Sequence, residues 1–366
     1  MLQSETMNSD APAVPGDPLA ELITTYNELN SAYIEELHEE PSPLEFMRYV
    51  ARNTPYIVRG AASSWQSNQT WDKDYLLQAF KGQTVNVAVT PFGNADAPTE
   101  HDDGEVVFAK PHEEDQDFEE FLNYVIKQEK TKDTKSEVRY AQTQNDNLRN
   151  EYLALFAHVP PSIPFARIAL DRDPDAINLW IGNSRSVTAL HKDNYENIYV
   201  QVRGRKHFVL LPPLCHPCVN EQALTPATYS RLGDGLRLGL DRDEDGDETA
   251  VQSGGDEAAP PDAVPFATWD PDAPGVNATP YSQLAKPVRV TLEPGDMLYL
   301  PAMWYHKVSQ SCPDDGEGFV LAVNYWYDMD FSGPLYPLSA FVRDVSLQKP
   351  STTSATPATS TAEKAR

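Results

Sequence analysis

The second half of the chain consists of short runs of β-branched and aromatic residues separated by turn residues, and this pattern constrains the fold more than any other feature. Nine such runs follow one another with few helical stretches between them: 138–142, 176–181, 187–192, 197–202, 206–211, 288–292, 297–300, 305–309 and 319–327. Short runs of this kind predict antiparallel strands that form a sandwich or barrel. The jelly roll is the most economical assembly of that type.

Two links between these runs are built from turn-forming residues. Arg203-Gly204-Arg205 predicts a tight hairpin, because glycine adopts the backbone conformations that such turns need. Glu293-Pro294-Gly295-Asp296 predicts a second turn.

The first 130 residues alternate between helical and extended patterns. Apolar residues recur at intervals of three and four over 19–34 and over 118–126, which predicts two amphipathic helices. Ser42-Pro43-Leu44-Glu45 predicts the start of another helix, since it supplies an N-cap, a proline in the first turn and a glutamate three residues after the cap. Alternating valines over 85–89 predict a strand.

A short amphipathic helix is predicted near the C-terminus. It is indicated by the spacing of Leu338, Phe341, Val342 and Val345. Its apolar face packs on the protein's own core, which is the interpretation we favour, or it forms the contact of a homodimer.

Composition divides the chain into segments. The predicted segments are a disordered N-terminus (1–17), a helical α+β region packed on the core (18–135), the jelly-roll domain (136–333) with a disordered acidic insertion (241–262), the C-terminal helix (334–348) and a disordered tail (349–366). The predicted fold class is mainly β, a jelly-roll core with N-terminal helices and a short C-terminal helix.

The charge balance restricts the partners. With 29 Lys and Arg against 55 Asp and Glu, the formal net charge is −26. This charge repels phosphate backbones and anionic lipid, so neither nucleic acid nor a membrane surface is an expected partner, whereas a basic protein is allowed.

Cysteine content and hydropathy indicate the compartment. Three cysteines are too few for a disulfide framework, and the sequence shows neither a secretory signal nor a long apolar span. We therefore expect a soluble protein of the cytoplasm, with a nuclear location left open. Cys215-His216-Pro217-Cys218 could bind zinc or act in thiol redox chemistry, but no second ligand pair and no clear helix start accompany it, so a loop is predicted.

Three side chains could bind a metal ion. In a strand, His191 and Asp193 point to the same face, and His306 lies in a second predicted strand. Two imidazoles and one carboxylate with open positions are typical of non-haem Fe(II) oxygenases. Spacing alone is weak evidence, because His101-Asp102-Asp103 also matches the motif; we interpret that copy as a solvated loop.

Lys206 lies in the predicted strand 206–211, which follows the strand that begins at Asn197. A lysine inside a barrel is costly unless a carboxylate meets it, and the co-substrate of an oxygenase would supply one. Alternatively the side chain lies on the outer face of the sheet with its ammonium group in water. The pattern leaves both possibilities open.

Four motifs resemble the JmjC-only, cupin-like 2-oxoglutarate oxygenases, and among them the subfamily of Jumonji domain-containing protein seven. They are NLWIG at 178–182, LHKDNYEN at 190–197, GRKHF at 204–208 and VNYWYD at 323–328. The resemblance extends from about Pro41 to Leu347 and implies a double-stranded β-helix of the cupin type.

The resemblance implies a role for each matching residue. His191, Asp193 and His306 would bind Fe(II), Lys206 would pair with the distal carboxylate of 2-oxoglutarate with Thr188 and Tyr140 as hydroxyl donors, Asn197 and Asn324 would lie near the metal and the 1-carboxylate, and Trp326 would wall the pocket. No catalytic residue beyond the metal ligands is expected.

The resemblance also implies a reaction. Members of this subfamily hydroxylate C3 of a lysyl residue, with (3S) stereochemistry, in developmentally regulated GTP-binding proteins of the translation-factor class, consuming O2 and 2-oxoglutarate and giving succinate and CO2. The alternatives are a histone lysine demethylase, a histone-tail endopeptidase and a binding module without turnover. Demethylases usually carry reader modules or zinc-binding cysteine sets, which three cysteines cannot supply.

Overall fold

The computed structural model describes residues 16–233, 235–241 and 262–348. The segments expected to be disordered, 1–17, 241–262 and 349–366, lie outside these ranges except at their edges. No helix in the described ranges is long and apolar enough to span a bilayer.

The described residues form helices in both terminal regions and strands throughout. The α-helices are α1 (Pro18–Leu29), α2 (Pro43–Arg52), α3 (Gln66–Thr70), α4 (Lys73–Ala79), α5 (Phe118–Thr131), α6 (Leu153–Phe156), α7 (Pro164–Leu170) and α8 (Leu335–Leu347). Short 3-10 helices cover Asn147–Arg149, Pro213–Cys218 and Ser282–Leu284. The strands are β1 (Glu35–Leu37), β2 (Tyr56–Val58), β3 (Thr84–Thr90), β4 (Ala97–Glu100), β5 (Val106–Lys110), β6 (His112–Asp117), β7 (Val138–Tyr140), β8 (Ala176–Gly182), β9 (Thr188–His191), β10 (Tyr195–Arg203), β11 (Arg205–Leu211), β12 (Glu221–Leu224), β13 (Pro226–Leu232), β14 (Gly235–Leu240), β15 (Val264–Ala267), β16 (Val288–Leu292), β17 (Met297–Leu300), β18 (Tyr305–Ser311) and β19 (Val320–Asp328).

Two sheets form the core. The larger has the order β1-β2-β17-β10-β19-β8, and the smaller has the order β16-β11-β18-β9. Successive strands from β8 to β11 alternate between the two sheets, and so do β16 to β19. Apolar side chains from both sheets pack between them, for example Tyr199 against Phe208 with ring centroids 5.1 Å apart. The mainly β, jelly-roll fold is confirmed, and all nine predicted strands are present.

The prediction of a hairpin at Arg203-Gly204-Arg205 is wrong. β10 lies in the larger sheet and β11 in the smaller, so this link is a corner between sheets. Gly204 has φ +64, and a Cβ there would lie 2.8 Å from a methyl group of Val320. Close packing at the corner therefore requires glycine.

The N-terminal region packs on the larger sheet and extends it. The predicted start of α2 is confirmed, because Ser42 and Glu45 form a reciprocal capping box. β2 pairs with β17, so this region contributes a strand to the core sheet. The first helix ends at Leu29 rather than at Ile34, because Asn30 is extended and its side-chain amide donates to the Tyr26 carbonyl.

Smaller sheets cover one side of the core, and of their strands only β3 and β7 were predicted. Their orders are β14-β13-β5-β4, β12-β15 and β6-β3-β7. β6 has the sequence HEEDQD and no apolar alternation. Cross-strand ion pairs stabilise it, since Arg231 on β13 donates to both Glu114 and Glu137.

Two cysteine and histidine motifs lie outside the core sheets. The prediction of a loop at Cys215-His216-Pro217-Cys218 is wrong, because this segment forms a buried 3-10 helix with both thiols free. The backbone of Pro212 caps its first turn by accepting from the Cys215 amide. His101-Asp102-Asp103 forms the turn between β4 and β5, as expected of a loop.

The C-terminal helix α8 is present, but its apolar residues divide between the core and solvent. Val342 is buried, whereas Leu338 and Phe341 are 57% and 63% exposed. The favoured interpretation, in which the apolar face is covered by the protein's own core, therefore holds for Val342 alone among these three residues.

Candidate metal centre

Strand pairing brings the two candidate histidine ligands together. In the antiparallel pair β9–β18, His191 lies opposite His306, and their ring centroids are 4.1 Å apart. Asp193 follows two residues after His191, and its Oδ2 atom is 3.6 Å from Nε2 of each histidine. One ligand atom from each residue lies within 4.8 Å of the others, which is compatible with a shared ion.

Backbone carbonyls orient both imidazoles. Nδ1 of His191 donates to the carbonyl of Ala189 at 2.8 Å, and Nδ1 of His306 donates to the carbonyl of Trp304 at 3.0 Å. Because Nδ1 carries the proton in each ring, the Nε2 lone pairs face each other and Asp193. This is how metal-binding histidines are usually held.

The three groups also influence one another electrostatically. Burial alone would raise the pKa of Asp193. The neighbouring imidazoles have the larger effect and lower this pKa to about 2. Burial and His191 lower the pKa of His306 to about 4. At neutral pH the site therefore presents an ionised carboxylate and a neutral His306 imidazole, the states in which these groups bind metals.

A buried carboxylate supports the loop that precedes His306. Glu196 accepts hydrogen bonds from the Tyr299 hydroxyl at 2.6 Å and from the Ala302 amide at 3.2 Å. The amide of Met303 donates to the Asp193 carbonyl at 2.7 Å, which ties the same loop to the third ligand. Motif spacing did not identify Glu196, because its role depends on the pairing of β10 with β17.

The triad faces a cavity of about 650 Å³ between the two core sheets. All nine residues predicted from the sequence line it. They are His191, Asp193, His306, Lys206, Thr188, Tyr140, Asn197, Asn324 and Trp326.

Lys206 is a buried cation inside this cavity. It is 2% exposed, which excludes the alternative position on the outer face of the sheet. Its Nζ donates to the Tyr140 hydroxyl at 2.9 Å, and burial lowers its pKa to about 7. No carboxylate in the described ranges lies within ion-pair distance of this ammonium group.

An amide pair and a tryptophan complete the wall beside the metal ligands. Asn324 donates to Asn197 at 3.1 Å and accepts from the Trp180 indole at 2.9 Å. Trp326 stacks on Tyr195, and its buried indole N–H has no acceptor among the described residues.

These contacts fit the group that the sequence implies. A buried cation without an anion and a buried donor without an acceptor both suit a carboxylate-bearing molecule. The three ligand atoms, from two imidazoles and one carboxylate, suit Fe(II). The cavity residues therefore fit Fe(II) together with 2-oxoglutarate.

The cavity also includes residues that the sequence did not identify. Asp96, Glu113 and Gln142 come from the N-terminal half of the chain and line the cavity. They lie in loops or on a polar strand, so no periodicity marks them. Only the packing of the smaller sheets on the core brings them to the site.

Comparisons with known proteins agree with this geometry. Residues 41–333 match the cupin-like domain family. The Arabidopsis thaliana lysine-specific demethylase JMJ32 is 38% identical over 308 residues, which covers 81% of this chain and 82% of that protein. The human bifunctional peptidase and (3S)-lysyl hydroxylase JMJD7 is 36% identical over 296 residues, covering 81% and 84%. JmjC domain-containing protein E of Dictyostelium discoideum is 32% identical over 348 residues, covering 89% and 96%.

The match covers the whole jelly roll and the N-terminal region from residue 41, and these relatives are aligned over most of their own length. The resemblance predicted from four short motifs is therefore confirmed. The chain belongs to the cupin-like JmjC family of 2-oxoglutarate-dependent oxygenases, close to the subfamily of Jumonji domain-containing protein seven.

Proposed function

We propose that this protein hydroxylates C3 of a lysyl side chain in a protein substrate, with (3S) stereochemistry. The observation that carries the proposal is the buried, unpaired ammonium group of Lys206 in the same cavity as the His191, Asp193 and His306 triad. The 36% identity to a human protein named as a (3S)-lysyl hydroxylase supports the reaction type.

Each residue of the cavity would have a role that follows from its position. His191, Asp193 and His306 would hold Fe(II), which together with 2-oxoglutarate and O2 supplies the oxidation of a C–H bond to an alcohol with release of succinate and CO2. Lys206 would bind the distal carboxylate, with Tyr140 and Thr188 as hydroxyl partners. Asn197, Asn324 and Trp326 would provide amide and indole donors near the metal. The apolar residues of the cavity wall would limit the access of water to the reacting centre.

The substrate we propose is a developmentally regulated GTP-binding protein of the translation-factor class. The net charge of −26 is compatible with a lysine-bearing, basic target segment. The test is to incubate the full chain with Fe(II), 2-oxoglutarate and lysine-containing peptides from such a GTPase, and to measure peptide mass and succinate. We expect a lysyl residue to gain one oxygen atom, with none gained by the His191→Ala variant.

Histone lysine demethylation is a second candidate. It is favoured by the 38% identity to a plant protein named as a lysine-specific demethylase. A trimethyl-lysyl histone peptide in the same assay separates the two reactions, because demethylation removes a methyl group whereas hydroxylation of C3 leaves all methyl groups in place. Cleavage of the peptide would instead indicate the endopeptidase, and no product with any peptide would indicate a binding module.

The location and the assembly state are also proposals. We propose a cytoplasmic protein with access to the nucleus, which localisation of the tagged full chain would test. We propose that two copies meet through α8, because Leu338 and Phe341 are large, apolar and exposed. Light scattering of the wild type and of Phe341→Glu tests this contact, and an unchanged monomer mass for both would contradict it.

A further inference from the structure

Besides the metal ligand Asp193, three carboxylates line the cavity. They differ in their exposure to solvent and in whether a cationic side chain balances their charge. Glu221 accepts from Arg343 at 2.7 Å and contacts His216 at 3.2 Å, so its charge is neutralised. Glu113 is exposed to solvent on β6. Asp96 is half-buried and accepts from the Gln142 amide at 3.0 Å, and it has no cationic partner within ion-pair distance in the described ranges.

The backbone around Asp96 is fixed against the segment that leads into β9, the strand of the metal ligand His191. The amide of Gly93 donates to the Thr90 hydroxyl at 2.9 Å, and the Gly93 carbonyl accepts from the Val187 amide at 3.0 Å. A Cβ on Gly93 would lie 2.0 Å from the Arg185 carbonyl oxygen. The turn between β3 and β4 therefore packs directly on the segment that leads into β9, which places Asp96 beside that strand.

We propose that Asp96 is the specificity-determining residue that receives the ammonium group of the substrate lysine. The inference rests on the proposed function and deepens it, since it assigns the cation-binding contact of the same cavity. An ammonium group that leaves water for a partly buried cavity needs a counter-charge, and Asp96 is the half-buried carboxylate there that lacks one. Burial raises the pKa of Asp96, although the charges of His191 and Lys110, beyond ion-pair distance, act in the opposite direction.

In this proposal the cavity binds its two charged ligands through residues of opposite charge. Lys206 faces the carboxylate of the co-substrate from β11, and Asp96 faces the cationic end of the substrate from the turn before β4. A neutral substrate side chain of the same length as lysine would leave the Asp96 charge unpaired. Sites that bury a charged or polar partner reject analogues that lack the complementary group.

The test compares two variants and two peptides. Asp96→Asn keeps the size of the side chain and an acceptor for Gln142, and asparagine tolerates the left-handed backbone at this position (φ 53). Glu100→Gln is the matched control, because it removes one negative charge from the exposed end of β4, away from the cavity. The peptides carry either lysine or norleucine, which has the same side-chain carbons without the ammonium group.

We expect the wild type to favour the lysyl peptide in kcat/KM by about tenfold to a hundredfold, the range for a hydrogen bond to a charged group. Asp96→Asn should lose most of this preference through a lower kcat/KM for the lysyl peptide, while Glu100→Gln retains it. Thermal unfolding of both variants checks folding. If Asp96→Asn is unstable, an acetyl-lysyl peptide with the wild-type enzyme tests the same charge from the substrate side, and it should react as poorly as the norleucyl peptide.

The outcomes separate this inference from the proposed function. If the wild type leaves the lysyl peptide unmodified, the proposed function fails and the inference falls with it. If the wild type hydroxylates the lysyl peptide and Asp96→Asn keeps the full preference over norleucine, the inference alone is overturned. The inference would also be overturned if Glu113→Gln lost the preference for lysine over norleucine and Asp96→Asn kept it. That result would assign the contact with the substrate ammonium group to the exposed carboxylate of Glu113.

Discussion

The ammonium group of Lys206 donates a hydrogen bond to the hydroxyl of Tyr140 across 2.9 Å, and this contact joins the jelly-roll core to a strand that follows the N-terminal region. Tyr140 lies on β7, which pairs with β3, whereas Lys206 lies on β11 of the smaller core sheet. The co-substrate end of the cavity is therefore built from two sheets that pack together, so its shape depends on the fold of both halves of the chain.

Replacing this cation should weaken co-substrate binding. In Lys206→Met we expect the Kd for 2-oxoglutarate to rise by about a hundredfold, because a buried charge pair with the carboxylate is lost. Lys127→Met is the matched control, since it removes the same charge from an exposed position on α5, away from the cavity. Titration of 2-oxoglutarate under anaerobic conditions with Fe(II) measures the effect, and similar affinities in both variants would contradict it.

The same lysine should make the stability of the ligand-free protein depend on pH. Its pKa falls from 10.5 to about 7 on folding, so between these values the unfolded chain binds more protons than the native protein. The free energy of unfolding contributed by this group therefore rises with pH from about 7 to about 10. Lys206→Met removes the contribution. We expect the variant to be the more stable protein at neutral pH, with a gap that narrows towards pH 10 in urea unfolding; a constant gap would refute this.

The core sheets and the metal ligands could be predicted from the sequence because local rules determine them. Runs of β-branched and aromatic residues mark most of the core strands, and the two-residue spacing of His191 and Asp193 predicts that both point to one face. The partner His306 could be named as a candidate but not positioned, because the pairing of β9 with β18 is set by the whole sheet. Lys206 remained ambiguous for the same reason, since alternation does not say which face is inside.

Apart from β3 and β7, the strands of the smaller sheets and the wall that they form could not be predicted. β6 has no apolar alternation and depends on the ion pairs of Arg231 with Glu114 and Glu137, which are far apart in sequence. Asp96 lies in a turn whose position depends on contacts with residues before β9. The wrong prediction of a hairpin at Gly204 has a related cause. The sequence of a glycine turn is the same whether the two flanking strands pair with each other or belong to different sheets.

Glu196 should stabilise the loop that leads to the metal ligand His306. In Glu196→Ala, the Tyr299 hydroxyl and the Ala302 amide lose their buried acceptor, which should lower the free energy of unfolding by about 2–4 kcal/mol. We also expect Fe(II) affinity to fall about tenfold or more, since outer contacts of this kind orient metal ligands. Glu196→Gln keeps one acceptor oxygen and should lose less of both. Urea unfolding and Fe(II) titration are the measurements, and an unchanged affinity in Glu196→Ala would show that the loop holds its position without this carboxylate.

His306 and His207 provide a matched pair of histidines for testing the metal site. His306 faces the cavity, whereas His207, on the adjacent strand β11, hydrogen-bonds the hydroxyls of Thr291 and Ser311 on neighbouring strands. We expect His306→Ala to abolish Fe(II) binding and succinate release, because two remaining ligands cannot hold the ion against water. His207→Ala should keep both, with a modest loss of stability from two hydrogen bonds. The anaerobic absorption spectrum with Fe(II) and 2-oxoglutarate reports binding directly. A spectrum of His306→Ala identical to that of the wild type would remove His306 from the metal site, and with it the oxygenase mechanism proposed for this cavity.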